Sequence, residues 1–442
     1  MAAIAWLPIA SARRICPVHL SGTHRLVPRR SLRPLLQPAD ARLLFGRPDY
    51  RRLWAIGGLT GVARWLEFVA IAIFAYELTR SPALVALLAV LRMVPYVMLG
   101  FLTGAVADIV DRKRMLVATF ATMAAVAGAM LLVSALGAAT YVAAAAVVMV
   151  SGAFWTTDMP VRRRLLVDAV EARSVPAALG FDNATMYATR ALGPLIGGAT
   201  YQELGISGIY ALIAVSYLVC LGLATRVGVR PDTPRTGASS AGGKLGFLLP
   251  PRELVLDRRF QIIMGVTLVY NLWCWPFTGM VPVIGQKDFA LTPALVGALS
   301  ACDGLGGTLG ALAVGVLATP RTLFRFYFLG TLGCLLLMLG LALHLTVGAA
   351  VAILLLSGVA AAAFSSTQYA LVYSMAPPEM RGRATGMLSI FIGSSMLGHW
   401  HAGLLFEKLG TIAATELMAC EGLAAMLLLA ALWQRTPAQP VG

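Results

Sequence analysis

The sequence predicts an all-α integral membrane protein with about twelve transmembrane helices in two pseudo-symmetric six-helix bundles. Three observations predict it. Of the 442 residues 59% are hydrophobic and only 12% charged, the cations gather in alternate loops, and the front and back halves share motifs in the same order. A soluble domain carries roughly a quarter of its residues as charges to cover its surface. At half that share, most of the exterior must face lipid.

A spanning helix needs roughly 20 apolar residues. Runs of that kind cover residues 54–78, 83–107, 115–136, 141–165, 175–201, 208–226, 260–284, 293–317, 323–343, 349–373, 384–405 and 412–433. Net charge is +15, which by itself suits nucleic acid or anionic lipid, and position decides between them. Arg112, Lys113 and Arg114 follow the second run, and Arg162, Arg163, Arg164 and Arg173 the fourth. Arg226, Arg230, Arg235, Lys244, Arg252, Arg258 and Arg259 follow the sixth. Arg321 and Arg325 follow the eighth, and Arg381 and Arg383 the tenth. The intervening loops hold only Arg80, Lys287 and Lys408. This is the positive-inside pattern of a multi-pass protein with both termini in the cytoplasm. The implied partners are membrane lipids and not nucleic acid.

Residues 1–50 form a basic tail, predicted to be disordered. The stretch 1–39 has no acidic residue and carries Arg13, Arg14, Arg25, Arg29, Arg30 and Arg33. It reads as a tail beside anionic lipid or as translated sequence upstream of the usual start, with an organellar transit peptide as the other reading. Two bundles follow, over 51–226 and 258–435, joined by a Pro-, Gly- and Ser-containing cytoplasmic linker at 227–257 and ending in a short tail at 436–442. Cys16, Cys220, Cys274, Cys302, Cys334 and Cys420 show no CxxC or Cys/His spacing, so neither a disulfide framework nor a metal site is expected.

The halves repeat each other. Ser81-Pro-Ala-Leu-Val opens the second run and Thr292-Pro-Ala-Leu-Val the eighth, which sets Arg92 opposite Asp303. Phe154-Trp-Thr-Thr-Asp158 matches Phe364-Ser-Ser-Thr-Gln368, and Leu192-Gly-Pro-Leu-Ile-Gly-Gly198 matches Leu397-Gly-His-Trp-His-Ala-Gly403. Six spans being an even number, a duplicated unit inserts in the same orientation. The copies then relate by an axis along the membrane normal.

Gly104, Asp108, Asp111, Arg112, Lys113 and Arg114 resemble the loop between helices 2 and 3 of major facilitator superfamily transporters, which acts there as a cytoplasmic gate. Asp108 would accept hydrogen bonds from free N–H groups at a neighbouring helix start, where the helix dipole favours an anion. In that family the neighbour is helix 11, which here begins near Arg383. Ile109 stands where the family carries Arg, and Asp111 where Gly is commoner. Glu379, Arg381 and Arg383 resemble the matching loop of the second half. The segment from Thr189 and Arg190 to Gly198 looks like that of the family's exporter branch, and its end, Gly193, Pro194, Gly197 and Gly198, resembles the antiporter motif of proton-coupled exporters. Pro194 would free a backbone carbonyl and the glycines permit a tight helix crossing. The resemblance spans residues 45–435 and points to the drug and siderophore exporter branch, similar to the enterobactin exporter and macrolide efflux proteins. It implies a monomeric inner-membrane secondary transporter that moves a small-molecule substrate through a site between the halves near mid-membrane, with proton coupling. A nutrient importer and a non-transporting receptor of the same fold are the alternatives.

Ionisable groups inside spans cost about 2.5–3.5 kcal/mol each on insertion scales, so a role in the pathway is the default reading. The candidates are Arg64, Glu67, Arg92, Asp158, Asp182, Arg190, Asn271, Asp303, His399 and His401. Glu67 or Asp303 would carry protons, with Arg64, Arg92 or Arg190 stabilising the ionised form. The competing reading is mutual neutralisation that fixes helix register, Asp158 with Arg190 being the expected pair. His399 and His401, two ligands without an acidic companion nearby in sequence, read as a hydrogen-bonded pair inside the bundle and not as a metal site. An enzyme is not expected, since no Asp-rich loop, nucleophile–base set or phosphate-cradling loop is present, and no cofactor is implied.

Overall fold

The structure, a computed structural model, describes residues 43–107, 111–171, 174–228, 252–343, 346–377 and 380–434, which are almost wholly helical. The first half comprises α1 (Pro48–Thr79), α2 (Pro82–Ala107), α3 (Arg112–Ala135), α4 (Tyr141–Asp168) and α5 (Val175–Thr225). The second half opens with the short α6 (Arg252–Leu256) and α7 (Arg258–Val269), a π-turn at Tyr270–Cys274, and α8 (Trp275–Lys287). It continues through α9 (Pro293–Leu317), α10 (Leu323–Leu343), α11 (Val347–Met375), α12 (Arg381–Gly393), α13 (Ser395–Leu409) and α14 (Thr411–Gln434). Nine stretches of helix among the described residues are long and apolar enough to cross a membrane. Twelve spans result because α5 holds two, α2 supplies the second, and α12 with α13 form the eleventh.

Local chemistry sets the helix ends. Asp111 accepts from the N–H groups of Lys113 (2.8 Å) and Arg114 (3.1 Å) and so caps α3. Thr140 caps α4 through Ala143 N–H, and Thr346 caps α11 through Ala349 N–H. Within α5 the chain turns at Gly205 (φ 61°, ψ −161°), and Gly410 (φ 78°, ψ 176°) makes the same turn between α13 and α14. Only glycine enters that region without strain. The motif shared by the fifth and eleventh spans therefore runs on to the turn, as Tyr201-Gln-Glu-Leu-Gly205 and Phe406-Glu-Lys-Leu-Gly410.

Side chains such as Leu132, Leu218, Leu329 and Leu427 project outward, as a lipid-facing surface requires. Inside each half the fourth span closes on the second. A Cβ on Gly152 would lie 2.1 Å from the Arg92 carbonyl oxygen, and one on Gly358 would lie 2.0 Å from that of Asp303. This bears on the repeat. Ser151-Gly152 and Ser357-Gly358, with the capping residues Thr140 and Thr346, are the structural equivalents in the fourth and tenth spans. The expected match of Phe154–Asp158 with Phe364–Gln368 is out of register by about one helical turn, a slip that leaves the same face forward.

The bundle has a basic end, carrying Arg112, Arg162 and Arg381, and a neutral end at the α1–α2, α8–α9 and α13–α14 turns. At the neutral end the two halves touch through backbone. A Cβ on Gly198 of α5 would lie 2.4 Å from the Pro293 carbonyl oxygen and 2.8 Å from Gly297 Cα of α9. A Cβ on Gly403 of α13 would lie 2.4 Å from Ala86 Cβ of α2. Twofold-related positions thus make both crossings.

Candidate functional site

Burial of charge organises the centre of the molecule. Four carboxylates, Glu67, Asp158, Asp182 and Asp303, are buried in a bundle that faces lipid, and each has an arginine partner. A lone charge there would be expelled or neutralised, so the pairing is what lets the sequence keep them.

Three of the pairs lie within the first half. Arg162 and Arg163 of α4 reach Asp182 of α5 at 2.6 and 2.8 Å, and Gly57 of α1 leaves the space that the Arg162 guanidinium fills. Next along the bundle, Arg64 lies 3.6 Å from Asp158. Deeper still, Arg92 lies 3.2 Å from Glu67, which also accepts from the Ser151 hydroxyl at 3.0 Å. The Arg64 and Arg92 guanidiniums both lie over the Trp155 ring, 4.7 and 4.9 Å from its centroid, in the cation–π range. A polar pocket lined by Thr60, Arg64, Asp158, Arg162 and Asp182 runs along this series.

The fourth pair crosses between the halves. Arg190 of α5 meets Asp303 of α9 at 2.5 Å, with the guanidinium 5.2 Å from the ring centroids of both Trp65 (α1) and Trp275 (α8). Pro194 has no N–H to give the Arg190 carbonyl, and there Gly304 brings the α9 backbone against α5. A cavity opens beside the pair, lined by Trp65, Phe68, Arg190, Thr278, Ser300 and Asp303. Trp65 borders this cavity and the first-half pocket alike. Towards the basic end, Tyr187 of α5 bonds the Ser365 hydroxyl of α11 at 3.0 Å, again across the halves.

Several expectations change. Asp158 and Arg190 do not pair with each other, because Arg190 points across the interface to Asp303 while Asp158 turns inward to Arg64. The two histidines do not bond each other. Two residues apart on one helix, they lie on nearly opposite faces and meet different neighbours, His399 Nδ1 the Ser395 carbonyl (2.7 Å) and His401 Nε2 Glu421 of α14 (2.8 Å). Glu421 also accepts from Trp273 Nε1 at 2.7 Å, so the acidic companion that local sequence lacks is supplied by another helix. Asn271 sits in the π-turn with its amide donated to the Thr267 carbonyl (2.8 Å), in the second-half core and away from the cavity.

Among the gate candidates, Asp111 is the α3 cap and Arg112 lies 3.4 Å from Asp168 of α4, both inside the first half. Lys113 and Arg114 occupy the first turn of α3, and Arg381 and Arg383 the first turn of α12. Asp108 and Glu379 lie outside the described residues, as do the surroundings of Gly104, the tail at 1–42 and the linker residues 229–251. Of the antiporter-like residues, Gly193 and Gly197 pack α5 on α1, Pro194 lines the cavity, and Gly198 makes the crossing to α9.

Two related helical bundles around a cavity that holds a buried charge pair define a multi-pass helical membrane protein. Residues 53–398 match the Major Facilitator Superfamily, and the chain belongs to that family of membrane transporters. No curated protein matches the chain in sequence at a significant level. Among solved structures it is similar to the nucleoside transporter NupG, with TM-score 0.68 and 12% identity over 88% of this chain and 100% of that one. It is also similar to a bacterial homologue of the iron transporter ferroportin in its inward-facing state, with TM-score 0.61 and 18% identity over 90% and 98%. A bacterial homologue of the lysosomal transporter Spinster, inward-facing and occupied, gives TM-score 0.66 and 14% identity over 90% and 97%. At such identities the likeness is one of fold.

Proposed function

We propose that this protein is a proton-coupled secondary transporter that exports a small amphipathic compound, such as a siderophore, a macrolide or another drug, across the inner membrane by alternating access. The basic end faces the cytoplasm on the positive-inside rule, so the glycine crossings at Gly198 and Gly403 close the outer end. We read the cavity as that of an inward-facing state, with the Tyr187–Ser365 bond the contact across the halves towards the cytoplasm. Export rests on the resemblance of the Arg190–Gly198 segment to exporter motifs.

The single observation that carries coupling is the Arg190–Asp303 pair, buried beside the cavity and spanning the two halves. Arginine keeps its charge under all working conditions, whereas a carboxylate can be protonated. A proton on Asp303 dissolves the tie between α5 and α9, so protonation and the relative position of the halves are linked. Glu67 is the weaker candidate for this task, since its partners Arg92 and Ser151 sit in its own half. Trp65, Phe68 and Trp275 offer the substrate an apolar, aromatic surface, and Thr278 and Ser300 offer hydroxyls.

One observation favours a second reading. The charge on the pair can be zero or, with Asp303 protonated, +1, and never −1. A substrate bearing a carboxylate would enter together with a proton, and an inward proton gradient would then drive uptake. The experiment is flux into and out of proteoliposomes under an imposed pH gradient, with a substrate panel that includes neutral and anionic amphipaths. Asp303→Asn should lower pH-driven flux by about 5–150-fold, the range of a ~1–3 kcal/mol coupling free energy, while counterflow without a gradient persists. Undiminished pH-driven flux in that variant would remove Asp303 from coupling, and the sign of net movement separates export from uptake.

A further inference from the structure

We infer that Gln202 and Glu407 are a twofold-related pair of latches, each holding the neutral end shut by capping the second helix of the opposite half. The inference rests on the alternating-access reading and adds to it the parts that keep one face closed.

Glu407 lies on α13, in the second half. Its Oε2 accepts from the Ser81 hydroxyl at 2.8 Å and from the Ala83 N–H at 3.2 Å, both at the start of α2 in the first half. Ser81 in turn accepts from the Leu84 N–H at 3.2 Å, so one hydroxyl links the carboxylate to the first turn of the helix. Gln202 lies on α5, in the first half. Its Oε1 accepts from the Ala294 N–H at 3.3 Å, at the start of α9 in the second half. The Thr292 hydroxyl makes no cap there, which leaves that office to Gln202.

The two arrangements are the same part used twice. Gln202 precedes the turn glycine Gly205 by three residues, as Glu407 precedes Gly410. Ala83 and Ala294 hold the same place in the Pro-Ala-Leu-Val segments that open α2 and α9. Each latch sits one turn beyond the glycine of its crossing, Gly198 or Gly403, where the backbones already touch. The first N–H groups of a helix have no partner within it. When the halves separate at this end, Ala83 and Ala294 lose their acceptors from the other half, and water must replace both at once.

The test reads accessibility and needs neither substrate nor gradient, so its failure is distinct from failure of the transport reading. Ser300→Cys, in the cavity wall, is reacted with a membrane-impermeant maleimide in sealed vesicles containing the full chain, with the parent lacking that cysteine as the thiol background. Leu409→Cys marks the vesicle face that is the neutral end. Glu407→Ala and Gln202→Ala should each speed labelling of Ser300→Cys from that face by about 5–30-fold, the effect of losing one cap on a two-state ratio. The double variant should exceed either single. Glu407→Gln should label at the parental rate, because an amide oxygen does at Gln202 what the carboxylate does at Glu407. Parental labelling in the double variant overturns the inference. So does opening in Glu407→Gln equal to that in Glu407→Ala, which would trace the effect to lost charge and not to capping.

Discussion

Arg92 is almost fully buried among Glu67, Phe68 and Trp155, and it shows how a charge survives in the middle of an oily bundle. Neutralisation by Glu67 removes the net charge, and the two rings supply electron-rich faces that tolerate a guanidinium. Breaking such a pair on one side costs more than removing both members, because the survivor is left charged and unpaired. Arg92→Leu is therefore expected to destabilise the protein by about 3–5 kcal/mol, read as a lower unfolding midpoint in detergent. Glu67→Leu combined with Arg92→Leu should recover most of that loss. A double variant as unstable as the single would show that Arg92 acts through packing alone. The sequence marks Glu67 and Arg92 as candidates, because any ionisable residue inside an apolar run stands out. It does not mark them as partners. Nothing in the spacing of Asp158, Arg64, Arg190 and Asp303 says which carboxylate meets which arginine, since each bond joins separate helices whose rotation is set by packing.

At the level of helices, the glycine-rich segment Gly193–Gly198 was legible as a close-packing surface, and its partner was not. Gly193 sits against Trp65 of α1 and Gly198 against Gly297 of α9, so one short stretch fastens its own half and also meets the other. Gly198→Val would place carbon where the Pro293 carbonyl oxygen lies, and overpacking of this kind costs about 1–3 kcal/mol. On the alternating-access proposal the contact belongs to the shut state of the neutral end, so that cost should fall on the shut state. The measurement is spin-label distance between Leu204→Cys and Leu295→Cys, which should lengthen in Gly198→Val; an unchanged distribution would mean the crossing is not state-dependent. The π-turn at Tyr270–Cys274 is a second device that periodicity conceals. Pro276 interrupts the hydrogen-bond ladder, and Gly398 of α13 packs against the freed Leu272 carbonyl. Trp273 and Trp275 then face opposite ways, one to Glu421 and one to Arg190.

For the molecule as a whole, the loop charges predict which face lies inside, and sidedness is directly measurable. In right-side-out vesicles Leu409→Cys should react with an impermeant thiol reagent and Lys113→Cys should not, the pattern reversing in inverted vesicles. The opposite result would turn the protein over in the membrane and exchange the meanings of inward and outward given above. The sequence by itself determined the all-helical membrane class, the number of spans and the duplicated halves, and it marked most of the buried ionisable residues but not Arg162, which reads as a loop cation and is buried against Asp182. Those depend on hydropathy and spacing along one chain, and lipid enforces them on each segment separately. Only the tertiary structure decided that Arg190 bridges the halves to Asp303, that His401 and Trp273 share Glu421, and that Gln202 and Glu407 cap helices across the interface. Each of those depends on the azimuth and depth at which one helix meets another, a property of side-chain packing summed over many neighbours and written in no single segment.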